Sequence, residues 1–167
     1  MLKIYIIDNN SIRVLAKYYW NVIGGIKEKF ENLIKERRLI SSIKVFEELK
    51  LENKEGFSWA KEHKKIFSPI SKTQFKILTN IIKNHPDLYS FFYPTGKHEK
   101  YADPFLISLG IEKMKEKTLA EKRVFVVTEE TKEEERLKIP LICDKLGLNS
   151  INLQEVFKEE GWELMIK

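Results

Sequence analysis

Cysteine and long apolar runs are what this sequence of 167 residues most clearly lacks. Its single cysteine, Cys143, can form no intramolecular disulfide and cannot alone build a zinc site of the cysteine type. We predict that Cys143 is a core residue. No apolar stretch approaches the roughly 20 residues that cross a bilayer, and the first apolar run is too short for a signal peptide. These absences predict a cytoplasmic protein without a membrane partner.

Glycine-rich turns and histidine pairs are also missing. No glycine-rich turn follows the first apolar run at residues 4–7, which argues against a dinucleotide-binding protein. The three histidines, His63, His85 and His98, show no spacing typical of a zinc site. A dinucleotide cofactor and a zinc ion are therefore both disfavoured.

Positive charge is present in excess, and it is concentrated in one segment. The net charge is +5, and between Lys61 and Lys100 eight lysines stand against three acids. That segment alone accounts for the whole excess. A basic region favours a polyanionic partner such as nucleic acid. A lysine-rich, solvated surface without a partner is the alternative.

Apolar spacing predicts strands that alternate with helices along a single domain, residues 1–167. This order is typical of an α/β fold with a parallel sheet, here a small sheet of about four or five strands. We predict strands at residues 3–7, 39–41, 123–128 and 150–153. Helices are predicted at residues 10–20, 26–34, 44–51, 55–67, 72–83, from 103 onwards, 139–147 and 154–162.

Acidic residues follow both of the strongest predicted strands. Asp8 ends the first, and Thr128, Glu129 and Glu130 follow the strand at residues 123–128. Because ligands of open parallel sheets bind beyond the carboxyl ends of the strands, these side chains are candidates for one site. Carboxylates that converge there repel each other unless a divalent cation lies between them. Oxygen ligands favour Mg²⁺ or Mn²⁺ over zinc.

Two helices supply further acids. In KVFEELKL, the helical phase points Glu47 away from the apolar face, whereas Glu48 flanks that face and can reach a site at its edge. Asp103 precedes Pro104 and is predicted to cap a helix, since Pro is favoured in the first turn. Each acid also has a purely structural reading, either as a helix cap or as a solvated surface charge.

Four short motifs, in the order IDNN, FEEL, ADPF and VVTEE, together resemble the PIN domain. The resemblance covers nearly the whole chain, and the segment after residue 138 also resembles an uncharacterised prokaryotic branch of PIN-like proteins. It implies a three-layer α/β/α sandwich. It also implies a metal-dependent ribonuclease, often the toxin of a toxin–antitoxin pair of the VapC type, with Mg²⁺ or Mn²⁺ as its cofactor.

The same resemblance implies roles for individual residues. Asp8, Glu48 and Asp103 match the three central acids, and Glu130 falls where the family has a fourth, so these four would be catalytic and would bind the metal. Asn10 and Thr128 match supporting polar positions beside the first and fourth acids. Glu130 is longer than the family's usual Asp, and Glu129 could serve instead. Asn9 stands where the family usually has Thr or Ser.

An RNA substrate would find further contacts outside the acids. Arg13, Lys97 and Lys100 are predicted to hold the phosphate backbone. Aromatic residues in the segment 90–101 could stack on unpaired bases. The implied partners are therefore RNA and, if the chain is a toxin, an antitoxin protein. A homodimer is expected from the resemblance alone.

Two other functions compete with a ribonuclease. A phosphatase of the haloacid-dehalogenase type needs an acid two residues after its nucleophilic Asp, and Asn10 occupies that position. A non-catalytic module that binds a partner protein or RNA remains open. In that case the basic, aromatic middle segment would be the binding surface and the acids would carry no reaction.

Overall fold

A five-stranded parallel sheet forms the centre of the computed structural model, which describes residues 1–52, 54–93, 101–133 and 137–167. The strands are β1 (Leu2–Ile7), β2 (Ile23–Gly24), β3 (Leu39–Ser42), β4 (Phe67–Ser68), β5 (Lys122–Val127), β6 (Asn149–Ile151) and β7 (Met165–Ile166). The sheet has the order β4-β3-β1-β5-β6, and every pairing within it is parallel. The short strands β2 and β7 form a separate antiparallel pair.

Helices flank this sheet, and the architecture agrees with the predicted three-layer α/β/α sandwich. They are α1 (Asn9–Val14), α2 (Ile26–Lys35), α3 (Ile43–Glu52), α4 (Lys54–Glu62), α5 (Lys72–Asn84), α6 (Tyr89–Phe92), α7 (Asp103–Lys115), α8 (Ile139–Leu146) and α9 (Leu153–Glu159). A π-helical turn, Leu15–Tyr19, continues α1. The predicted α/β fold class is therefore confirmed.

The two central strands are buried because their side chains are apolar on both faces. The last four residues of β1 and of β5 are all buried. The strands run in register from Leu2 beside Lys122 to Ile7 beside Val127. Since helices cover both faces of a parallel sheet, such strands are continuous apolar runs rather than alternating ones. The register therefore brings the residues that follow Ile7 and Val127 to the same edge.

Amphipathic spacing places the helices as predicted, with α2 as the clearest case. Its buried residues are Ile26, Phe30, Leu33 and Ile34, which lie three or four positions apart and so form one face. Cys143 of α8 is fully buried, which confirms its assignment to the core. Within the described ranges, no helix has the length and apolar character needed to cross a membrane.

Two local predictions were wrong. The helix predicted at residues 55–67 ends at Glu62, and Phe67 and Ser68 instead form the edge strand β4. This strand exists because Ser41 and Ser42 of β3 pair with it, a contact that local spacing cannot reveal. Asp103 is the first residue of α7 rather than its cap, a position taken by Ala102 without a side-chain bond.

A network of charged and polar side chains lies at the amino ends of the strands, opposite the ends that carry Asp8 and Thr128. Arg38, just before β3, pairs with Glu160 and donates from Nε to the carbonyl oxygen of Lys3 at 2.9 Å. The Tyr5 hydroxyl donates to the same Glu160 carboxylate at 2.6 Å. The network ties the starts of β1 and β3 to the segment that follows α9.

Candidate active site

The carboxyl ends of β1 and β5 bring the first two polar residues of the site together. The Asp8 N–H donates to the carbonyl oxygen of Val127 at 3.1 Å, which extends the strand pairing by one residue. Asp8 and Thr128 are 4% and 2% exposed, respectively. The prediction that both strands deliver polar side chains to one edge of the sheet is therefore confirmed.

Asp8 both caps a helix and lies in the cluster of acids. Its Oδ1 accepts a hydrogen bond from the Ser11 N–H at 2.7 Å, which makes it the N-cap of α1. Burial raises the pKa of Asp8 to about 6, and the charge of Glu130 adds to the rise. Hydrogen bonds from Thr128 and Ser11 act in the opposite direction. The cap and the site therefore use the same carboxylate.

Glu48 lies at the edge of the apolar face of α3, as its helical phase predicted. Its Oε1 accepts from the Ala102 N–H at 2.8 Å, and its Oε2 accepts from Asn9 Nδ2 at 3.1 Å. Glu47, in contrast, pairs with Lys44 at 3.2 Å. One carboxylate thus bridges the segment after β1 and the residue before α7, which places Glu48 among the other acids.

The pKa of Asp103 responds to the charges of the other three acids. Burial, followed by the negative charges of Glu130, Asp8 and Glu48 in that order, raises the pKa of Asp103 to about 8. A hydrogen bond from the Tyr101 hydroxyl lowers it in part. Because such interactions weaken with distance, these three charges lie within electrostatic range of Asp103. Asp8, Glu48, Asp103 and Glu130 therefore interact electrostatically as one group, called the cluster below, beyond the carboxyl ends of the central strands.

The adjacent acids Glu129 and Glu130 have different surroundings. Glu129 accepts from the Leu153 N–H at 2.8 Å and so turns to the start of α9. Glu130 accepts from the Ile139 N–H at 2.9 Å at the start of α8, and its charge reaches both Asp8 and Asp103. Of the two acids, Glu130 is therefore the one that contributes to the cluster.

The supporting residues differ in part from the prediction. Thr128 does hold the site, because its hydroxyl bonds to Asp8 and accepts from the Glu130 N–H at 3.2 Å. Asn10 was expected to orient Asp8, but its side chain is exposed on α1. The buried Ser11 fills that role instead. The reason is helical geometry, since an N-cap bonds the backbone two or three positions ahead.

Two further residues contact the acids, although the sequence did not predict these contacts. Asn9 contacts Glu48, and Tyr101 donates its hydroxyl to Asp103. Burial, followed by the charge of Asp103, raises the pKa of the Tyr101 hydroxyl well above its usual value. The signal for both was their position, since each lies within two residues of a predicted acid.

The residues predicted to bind RNA are only partly described. Arg13 is exposed in the last turn of α1, the helix that Asp8 caps. Lys97 and Lys100 lie outside the described residues. The lysines of the basic segment within the described ranges are all exposed, namely Lys61, Lys64, Lys65, Lys72, Lys76 and Lys83.

The donor chemistry of the cluster fits a hard divalent cation, although the carboxylates are not gathered around one point. Within the described ranges, no three His, Cys, Asp or Glu side chains are placed so that they could hold a metal ion as they stand. Asp8, Glu48 and Glu130 each accept a backbone hydrogen bond. Part of the cluster would therefore have to move in order to surround a cation.

One protein family matches residues 5–164 of the chain, and its description is "Domain of unknown function (DUF4411)". This match covers most of the chain, which therefore belongs to that family. Neither the curated proteins nor the solved structures contain a match.

Proposed function

We propose that this protein is a metal-dependent endoribonuclease that uses Mg²⁺ or Mn²⁺. The observation that carries the proposal is that Glu48 accepts hydrogen bonds from Asn9, the neighbour of Asp8, and from Ala102, the neighbour of Asp103. The charges of Glu130, Asp8 and Glu48 also raise the pKa of Asp103. Four carboxyl groups at one end of a sheet cannot all ionise without repelling each other, and a divalent cation relieves that repulsion. The resemblance to the PIN domain, carried by the same four residues, adds the reaction and the substrate.

A bound divalent cation supplies a Lewis acid and lowers the pKa of a bound water. The acids Asp8, Glu48, Asp103 and Glu130 would hold it. Thr128 and Ser11 keep Asp8 in place through their hydrogen bonds. Arg13 and the exposed lysines would hold the phosphate backbone without reading base sequence.

The biological setting proposed here follows from the resemblance. A ribonuclease of this type acts on cytoplasmic RNA, and as the toxin of a toxin–antitoxin pair it would bind an antitoxin protein. Homodimer formation is part of the same proposal. Growth arrest on expression of the wild-type chain, relieved by a protein encoded beside it, would support this setting.

Two matched pairs of variants test the reaction. Glu48→Gln should lower the cleavage of a mixed pool of cellular RNA by Mn²⁺-loaded protein at least about 100-fold, because a carboxylate of the cluster is lost. Its neighbour Glu47 pairs with Lys44, so Glu47→Gln should cleave like the wild type. Asp8→Asn should also abolish cleavage while the fold persists, since Asn caps helices as well as Asp does. Asp87→Asn, which alters an exposed acid beside Lys145, is the matched control.

Cleavage that survives Glu48→Gln, Asp8→Asn and EDTA alike would refute the proposal. The second candidate is a non-catalytic module that binds a partner protein or RNA. Both oxygens of Glu48 already accept hydrogen bonds from the protein, which favours this candidate. Calorimetric titration with Mn²⁺ distinguishes the two candidates. A nuclease should bind Mn²⁺ through Asp8 and Asp103, whereas a non-catalytic module should not bind it or should bind it regardless of these residues.

A further inference from the structure

The Asn9 carboxamide has one satisfied end and one unsatisfied end. Its Nδ2 donates to Glu48 Oε2 at 3.1 Å. Because a carboxylate accepts and an amide nitrogen donates, this bond fixes which end of the amide faces Glu48. The oxygen Oδ1 must therefore occupy the other position and cannot exchange places with Nδ2.

The Asn9 Oδ1 atom is buried and accepts no hydrogen bond from any described residue. A buried acceptor without a partner is destabilising, so such atoms normally meet a donor, a water or an ion. The unsatisfied oxygen is bonded to the same carbon as Nδ2, the atom that donates to Glu48.

The position of Asn9 in the chain brings it among the acids. It follows Asp8 directly, and its amide bonds to Glu48, whose other oxygen accepts from Ala102, the residue before Asp103. Asn9 is thus connected to three of the four acids of the cluster. Asp8 is its neighbour in the chain, Glu48 accepts its hydrogen bond, and Asp103 follows the residue that donates to Glu48. Asn carboxamide oxygens are ligands in Ca²⁺ sites, and carbonyl oxygens also suit Mg²⁺ and Mn²⁺.

We infer that Asn9 Oδ1 is an additional oxygen ligand of the divalent cation site formed with Asp8, Glu48 and Asp103. The inference rests on the proposed metal-dependent function and adds a residue to its site. A group of acids alone does not explain a buried amide oxygen without a partner. A cation among the acids satisfies that oxygen and leaves the bond from Nδ2 to Glu48 in place.

Calorimetric titration of EDTA-treated protein with Mn²⁺ tests this role. Asn9→Leu keeps the approximate volume of the side chain and removes the oxygen, so it should weaken Mn²⁺ binding about tenfold or more. Asn10→Leu is the matched control, because Asn10 is an exposed amide on the same helix and should bind Mn²⁺ like the wild type. Thermal unfolding of each variant shows whether the fold persists.

A change of metal preference separates direct contact from positioning of Glu48. Thiolate sulfur favours softer ions, so Asn9→Cys should raise the affinity for Cd²⁺ relative to Mn²⁺ at least about tenfold compared with Asn9→Ser. Asn10→Cys adds a thiol nearby and should show no such change. The comparison of Asn9→Cys with Asn9→Ser also tests the inference if Asn9→Leu does not fold.

The outcomes distinguish failure of the inference from failure of the proposed function. Wild-type protein that does not bind Mn²⁺ would overturn both. Wild-type binding with an unchanged affinity in Asn9→Leu, or an unchanged metal preference in Asn9→Cys, would overturn the inference alone and leave a water as the partner of Oδ1. Weaker binding in Asn9→Leu together with a shifted preference in Asn9→Cys would support it.

Discussion

Asp103 is the residue on which burial and neighbouring charge act together most strongly. Its pKa is raised to about 8, against a value near 4 for an exposed Asp, so the folded protein without a cation favours its protonated form. The associated stability is fully present below the pKa of the unfolded chain. It is lost as the pH rises through the folded value, between about 4 and 8.

Asp103→Asn should therefore stabilise the metal-free protein at high pH. Asn resembles the protonated carboxyl group and can still accept from the Tyr101 hydroxyl. Near pH 4, close to the pKa of the unfolded chain, the free energy of unfolding in EDTA should be within about 0.5 kcal/mol of that of the wild type. At pH 8.5 the variant should be about 1–3 kcal/mol more stable, as measured by urea unfolding.

The matched control for this measurement is Asp87→Asn. Asp87 is exposed and pairs with Lys145 at 3.3 Å, so its replacement should leave the pH dependence unchanged. An equal stability of Asp103→Asn and wild type at pH 8.5 would show that the four charges do not repel each other at this site.

At the scale of single residues, the sequence was informative where a side chain belongs to a regular element. Helical phase separated Glu48 from Glu47, and the end of a buried strand located Asp8. It was not informative about residues in short irregular segments. Whether Glu129 or Glu130 is the fourth acid depends on the direction of the loop after β5, and no periodic sequence pattern predicts that direction.

At the scale of elements, the loop after β5 connects the site to two helices. Glu129 accepts from the first residue of α9, and Glu130 accepts from the first residue of α8. Carboxylates at helix N-termini are stabilising because they pair with free N–H groups there. The two adjacent acids therefore make similar local contacts, although only Glu130 affects the other acids.

Glu129→Gln and Glu130→Gln should consequently differ in metal binding rather than in stability. Each should lose roughly 0.5–1 kcal/mol of unfolding free energy, since Gln keeps an acceptor oxygen but not the charge. Only Glu130→Gln should weaken Mn²⁺ binding in calorimetry, by about tenfold. Equal binding by both variants would remove Glu130 from the site.

The prediction of elements failed where an element depends on distant partners. β4 consists of two residues, Phe67 and Ser68, and is a strand only because β3 lies beside it. The long strands β1 and β5 were predictable because their apolar runs show burial directly. The sheet order, in contrast, emerges from pairings between segments far apart in the chain.

At the scale of the whole molecule, Arg38 and Glu160 join the two halves of the chain at the edge opposite the acids. Their side chains are 17% and 11% exposed, and Arg38 Nη1 lies 3.0 Å from Glu160 Oε2. Replacing only one member of a partly buried ion pair lowers the free energy of unfolding, because the remaining charge then has no partner.

Arg38→Met should therefore destabilise the protein by about 3 kcal/mol in urea unfolding, while Mn²⁺ binding stays unchanged. The double variant Arg38→Met with Glu160→Met should recover part of that loss, since no unpaired charge remains. A single variant that unfolds like the wild type would show that the pair adds nothing to stability. Altered Mn²⁺ binding would show that the two edges of the sheet are coupled.

The register between β1 and β5 has a consequence for the time at which the site forms during synthesis. Leu2 pairs with Lys122 and Ile7 with Val127, so β1 stays without this neighbour until β5 has been synthesised. Thr128 and Glu130, which complete the cluster, follow β5 directly. A nascent chain is surrounded by ribosomal RNA, and the proposed nuclease would be incomplete during most of that exposure. If the proposed function holds, late pairing of the central strands would delay the activity without an inhibitor.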